Sequence, residues 1–72
     1  MPMQQEVVSE DHAAPDPSDL RVEIARKGVR QFAVAQRLGI SEGQLSRLLT
    51  GRKPLTDEIA ARIRVAIAEV AA

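Results

Sequence analysis

Gly39 separates two short helical runs, and no other feature constrains this 72-residue chain as much. Before it, QFAVAQRL places Val34, Ala35 and Leu38 on one face at helical spacing. After it come Ile40, then Ser41 as an N-cap. A run from Glu42 to about Thr50 follows, whose apolar side is Leu45, Leu48 and Leu49. A glycine just past a helix end takes a left-handed backbone at almost no cost, so one helix can stop and the next begin within three residues. Two helices joined that tightly form a helix-turn-helix unit.

The flanking segments also read as helices. Ser18 is expected to cap a first helix over about residues 19 to 27, with Asp19 in its first turn, Leu20, Ile24 and Ala25 at helical spacing, and Gly28 as the stop. Thr56 is expected to cap the last helix, where Asp57 and Glu58 suit the first turn and Ile59, Ile63, Ala66, Ile67 and Val70 share a face. Glu58 and Arg62 stand four apart and can pair. Phe32 is expected to pack in the core against the first helix. Residues 1 to 17 have low hydrophobicity and no sustained period, with prolines at 15 and 17, and read as a flexible acidic tail. Residues 18 to 72 then form the single domain, an all-α compact bundle of four to five helices containing the helix-turn-helix.

Composition narrows the chemistry. Apolar residues make up 44% and are nearly all Ala, Val, Ile and Leu, which suits close-packed short helices; Phe32 is the only aromatic. Without cysteine there is no disulfide, no thiolate metal site and no Cys nucleophile, and the one histidine, His12, falls in the tail. No enzymatic activity, cofactor or metal is therefore expected. No apolar run approaches the roughly 20 residues that cross a bilayer, and MPMQQEVVSE lacks the pattern of an export signal, so a cytoplasmic protein without membrane contact is expected. The net charge is zero, but it is unevenly spread. Residues 1 to 17 hold Glu6, Glu10, Asp11 and Asp16 with no base, while residues 18 to 72 hold all ten bases against six acids. An acidic tail joined to a basic domain points to nucleic acid, or equally to two ordinary solvated surfaces.

The central run carries a tighter pattern. Counting Gln31 as the first position, apolar or small residues fall at the fourth (Val34), fifth (Ala35), eighth (Leu38), tenth (Ile40), fifteenth (Leu45) and eighteenth (Leu48), with Gly39 at the ninth. Ala35 is small where the helices cross. Ile40, Leu45 and Leu48 pin the second helix of the unit, whose opposite side stays polar and free to enter a major groove. QFAVAQRLGIS followed by LSRLLTGRKPL resembles the phage-repressor helix-turn-helix family, the Cro-like, Xre-like or lambda-repressor-like group, over about residues 19 to 70. The resemblance implies a bundle of four or five helices that binds double-stranded operator DNA, usually as a dimer.

Candidate contacts follow. Arg47 projects away from Leu45 and Leu48 and can give guanine two hydrogen bonds, with a phosphate contact as its other role. Gln44 and Ser46 lie on or beside the same arc and can donate or accept at base edges. Glu42 and Gly43 occupy N-terminal positions where the family often places base-reading amides. Glu42 can accept from cytosine or simply favour the helix end, and Gly43 can only permit close approach. By the resemblance, Gln31 contacts a phosphate and braces the recognition helix. Arg30, Thr50, Arg52 and Lys53 flank the motif and suit backbone phosphates. Arg30 stands where the family has Ser or Thr, which removes the usual N-cap, at about 1 kcal/mol.

Leu49 replaces a residue that the family frequently has charged, which implies either a wider core or a partner surface. Ala61, Val65, Ala68 and Ala72 form a second apolar stripe on the last helix, readable as a homodimer interface or as plain helix-forming surface. The expected function is a sequence-specific repressor or autoregulator acting as a homodimer on an inverted repeat. The alternative is a protein-binding antitoxin or anti-activator that uses the same fold.

Overall fold

A computed structural model describes residues 15 to 72; the rest of the expected acidic tail lies outside the described residues. Four helices follow in order, with no strand among the described residues: α1 (Pro17–Lys27), α2 (Gln31–Leu38), α3 (Glu42–Leu49) and α4 (Asp57–Ala71). The all-α bundle expected from the sequence is the observed fold.

Local chemistry sets each boundary. α1 begins earlier than expected: Asp16, not Ser18, is the N-cap, and its carboxylate accepts from the Ser18 N–H at 3.0 Å. Pro17 takes the first helical position, where its missing N–H leaves no bond unmade and its fixed φ suits the helix. α2 has no side-chain cap, since Arg30 offers only cationic donors at a helix start. α3 opens on a capping box: Ser41 Oγ accepts from Gln44 N–H at 3.1 Å, and Gln44 Oε1 accepts from Ser41 N–H at 3.0 Å. Thr56 caps α4 by accepting from Ile59 N–H at 3.1 Å, as its sequence position implies.

The core lies where the four helices converge, with α1 and α2 each packed on both α3 and α4. Leu20 comes from α1, Val34 and Ala35 from α2, Leu45, Leu48 and Leu49 from α3, and Ala60, Ile63, Ala66 and Ile67 from α4. Leu55 closes one end from the loop before α4 and was not singled out by the periodicity. Fully burying one such leucine contributes about 1.5–3 kcal/mol. Among the described residues no polar or charged one is buried, so none of this is offset by an unpaired group there.

One expectation is corrected, and one pair of alternatives is decided in favour of the wider core. Phe32 is 55% exposed, because α2 already fills its inward arc with Val34, Ala35 and Leu38 and position 32 lies about 110° from the centre of that arc. Leu49 is 1% exposed: it sits one turn beyond Leu45 and completes the core face of α3, so no surface remains there for a second chain.

Candidate nucleic-acid interface

The site is built from the turn outward. Gly39 has φ +76, the left-handed conformation the sequence asks of it, and its N–H reaches the Gln36 carbonyl while Ile40 N–H reaches that of Ala35, both at 3.1 Å. These bonds close the end of α2 and swing the chain into α3. Ala35, 1% exposed, occupies the α2 side that faces the interior, where a larger side chain would push the helices apart.

α3 is divided sharply by face. Leu45, Leu48 and Leu49 are buried; Glu42, Gly43, Gln44 and Arg47 are exposed, and Ser46 lies half-buried at the margin. The sequence-predicted base-reading residues therefore share the free side of one helix. The capping box restricts Gln44, whose side-chain oxygen is held by Ser41 N–H, so it faces outward with its amide N–H groups as donors only. Glu42 sits in the first turn of α3, where a carboxylate favours the helix end.

The far end of α3 is closed by the loop that follows. Thr50 N–H and hydroxyl both donate to the Ser46 carbonyl at 2.9 Å, so the Thr50 proton is committed within the helix end in the free protein. Gly51, at φ +84, turns the chain back so that Arg52 and Lys53 N–H groups donate to the Arg47 carbonyl at 2.9 and 3.2 Å. Arg47, Arg52 and Lys53 are thereby gathered at the negative end of the α3 dipole, all exposed. Gln31 and Arg30 stand at the start of α2, half-buried and exposed respectively.

Electrostatic pairing follows the same division. Arg37 meets Glu69 at 2.7 Å, Arg62 meets Glu58 at 3.6 Å and Arg64 meets Glu23 at 3.8 Å, all involving α4. Among the described residues none of Arg30, Arg47, Arg52 or Lys53 has a carboxylate partner. Among the described residues Arg37, Arg62 and Arg64 are thus paired, while the cations that flank the helix-turn-helix, like Arg21, Arg26 and Lys27 of α1, have no carboxylate partner.

Sequence reasoning missed Arg21. Its guanidinium donates to the Leu49 carbonyl, tying α1 to the last residue of α3 across 28 positions. No local signal marks such a contact. The same holds for the Arg37–Glu69 and Arg64–Glu23 pairs.

A family model described as a helix-turn-helix domain matches residues 19–69, most of the chain. The chain belongs to the helix-turn-helix domain family. That family is a DNA-binding one, and the α2–turn–α3 unit is where this chain carries its namesake motif. No curated protein and no solved structure gives a match. Among the described residues no helix is long and apolar enough to cross a membrane.

Proposed function

We propose that this chain is a sequence-specific DNA-binding transcriptional regulator of the phage or mobile-element repressor type, acting in the cytoplasm on its own or neighbouring genes. The observation that carries the reading is the free face of α3. Gly43, Gln44 and Arg47 are exposed there, and Arg52 and Lys53 are folded against the Arg47 carbonyl with no carboxylate partner among the described residues. In this reading α3 enters the major groove, Arg47 reads a guanine, Gln44 donates to a base edge, and Ser46, Glu42 and Gly43 line the contact. Gln31, Arg30, Thr50, Arg52 and Lys53 meet phosphates and position the helix without specifying sequence.

Two copies complete the site. One recognition helix reads only a few base pairs, too few to single out a target among a genome's competing sites. The reading therefore includes a homodimer on an inverted repeat, with half-site centres about 34 Å apart. Ala61, Val65 and Ala68 are exposed on α4 and Ala72 is exposed just past its end, and Val65 at 57% is the most exposed large apolar residue of the domain. They beside Arg37 and Glu69 are the surface assigned to the second copy; Leu49 is not part of it.

A mobility-shift titration against the DNA upstream of the gene, run beside random duplex at several salt concentrations, tests the function. The expected result is tight, sequence-dependent binding that weakens steeply with salt. Absence of any DNA binding, with capture of a co-purifying protein instead, would favour the antitoxin or anti-activator reading.

A further inference from the structure

α3 and α4 make no extended contact of their own; α1 and α2 bridge them. The seam is open, and a cleft of about 230 Å³ lies in it. Its apolar lining is the edge of the core. Leu48 of α3 and Ile63 of α4 are buried there, with Ile40 after the turn and Ile59 of α4 half-buried beside them. Its polar lining is Gln44, Lys53 and Arg62, all exposed.

These three side chains share one chemical sense. Gln44 has its side-chain oxygen committed to the Ser41 N–H, so it offers N–H donors alone. Lys53 is a cation with no carboxylate partner among the described residues. Arg62 meets Glu58 at 3.6 Å, but both side chains are exposed, and such a pair holds its members weakly. No carboxylate lines the cleft. An apolar floor edged only by donors and cations is complementary to a molecule with an apolar body and an anionic head. A carboxylate suits that head, since its two oxygens match the fork of a guanidinium. The space holds about seven groups of water size at about 30 Å³ each, which limits the body to a short chain or a single ring.

We propose that the cleft between α3 and α4 binds a small amphipathic monocarboxylate, which competes with DNA for Gln44 and Lys53. The competition rests on the DNA-binding reading above; the site does not. Positive charge alone does not single the cleft out, because other cations also lack partners. The combination does. The hollow at Arg26 and Lys27 has no apolar side chain and includes Glu23, and the groove beside Val65 contains the carboxylate of Glu69.

Hexanoate titrated into the full chain, followed by methyl resonances, tests the site. Saturable shifts are expected at Ile40, Leu48 and Ile59 with half-saturation at about 1 mM, in keeping with a ligand of about eight non-hydrogen atoms. Hexan-1-ol on the parent, and hexanoate on the K53M/R62M variant, are expected to bind at least about fivefold more weakly, since each lacks one side of the charge contact. No saturable shift up to about 20 mM, or equal binding of the alcohol and the acid, would overturn the site. So would shifts at the same methyls that follow protein concentration alone, because the occupant would then be a second copy. For the competition, hexanoate at about ten times its half-saturation is expected to weaken duplex binding about three- to tenfold relative to sodium chloride at the same ionic strength. Unchanged duplex affinity in a protein whose cleft is filled would overturn the competition. Saturable shifts in a protein that binds no duplex would sink the DNA-binding reading, and the competition with it, and leave the site standing.

Discussion

The guanidinium of Arg21 in α1 donates to the main-chain carbonyl of Leu49, the last residue of α3. A helix leaves its final carbonyls without intrahelical partners. At α3 the Ser46 carbonyl accepts from Thr50 and the Arg47 carbonyl from Arg52 and Lys53, while that of Leu49 takes its hydrogen bond from a different helix. α3 is therefore fixed at its start by the Ser41–Gln44 box, along its length by three leucines, and at its end by α1.

Replacing Arg21 with Met keeps the aliphatic stem and removes the donor. The expected loss is about 1.5–2 kcal/mol, at the low end of the range for a hydrogen bond to a charged group. Amide exchange at Arg52 and Lys53 should quicken as the end of α3 loosens. An unchanged melting temperature with unchanged exchange would show that the contact adds nothing.

Gly39→Val tests the turn. A Cβ at Gly39 would meet no heavy atom within 4 Å, so the cost is conformational rather than a clash. Left-handed backbone costs an ordinary L-residue roughly 1–2 kcal/mol and a β-branched one more, so a loss of about 2 kcal/mol or more is expected. Equal thermal melts of the two proteins would rule out the positive φ at this position.

What was legible in the sequence was local. Gly39 and Ser41 announce the turn because their roles depend on neighbours three or four residues away, and Thr56 announces α4 for the same reason. Asp16 and Ser18 are both good caps, and only the tolerance of the first helical position for Pro17 decides between them. Phe32, Leu49 and Leu55 were ambiguous or missed because their burial depends on how helices fill one another's grooves. A hydrophobic residue a third of a turn off the inward arc is left outside, and a leucine one turn from Leu45 is drawn in. Arg21 was invisible for a simpler reason: its partner is a backbone carbonyl, which every residue has.

The Asp16 cap gives stability a specific acid dependence. Its folded-state pKa lies below the ordinary 3.8, because the Ser18 backbone N–H, the Ser18 hydroxyl and Arg21 favour the charged form. The contribution is therefore fully present above 3.8 and is lost as pH falls through the depressed folded value. Asp16→Asn, which keeps a capping oxygen but cannot ionise, should remove this part of the acid limb in denaturation curves taken between pH 2 and 5. Identical curves for parent and variant across that window would show that Asp16 is not differentially protonated.

Leu49 and Val65 separate the core from the surface proposed for a second copy. Leu49→Ala is expected to cost about 2–4 kcal/mol in stability, from lost burial plus the cavity left behind. Val65→Asp should leave the melting of dilute monomer within about 0.5 kcal/mol, because the side chain is 57% exposed. It should nonetheless disrupt the two-to-one complex on an inverted repeat by placing a charge in an apolar contact. Sedimentation of the free protein and of the complex reads both. A complex of unchanged stoichiometry with Val65→Asp would exclude α4 as the contact between copies.

Arg47 carries the sharpest prediction for DNA. It stands about 150° from the centre of the buried leucine arc of α3, which aims it into any groove that the helix enters. Arg47→Ala is expected to weaken binding to the cognate site by about 1–3 kcal/mol and to relax the preference at one base pair, as loss of a bidentate guanine contact does. Lys53→Ala, by contrast, should weaken cognate and random DNA alike and lower the salt slope by about one, because a phosphate contact carries no sequence information. The two variants form an internal control, since both remove one positive charge from the same patch and neither side chain is buried. Competition titrations against a panel of single-base variants of the site separate them. Equal losses for Arg47→Ala on every duplex in the panel would reassign Arg47 to the phosphates and leave Gln44 as the base-reading donor of α3.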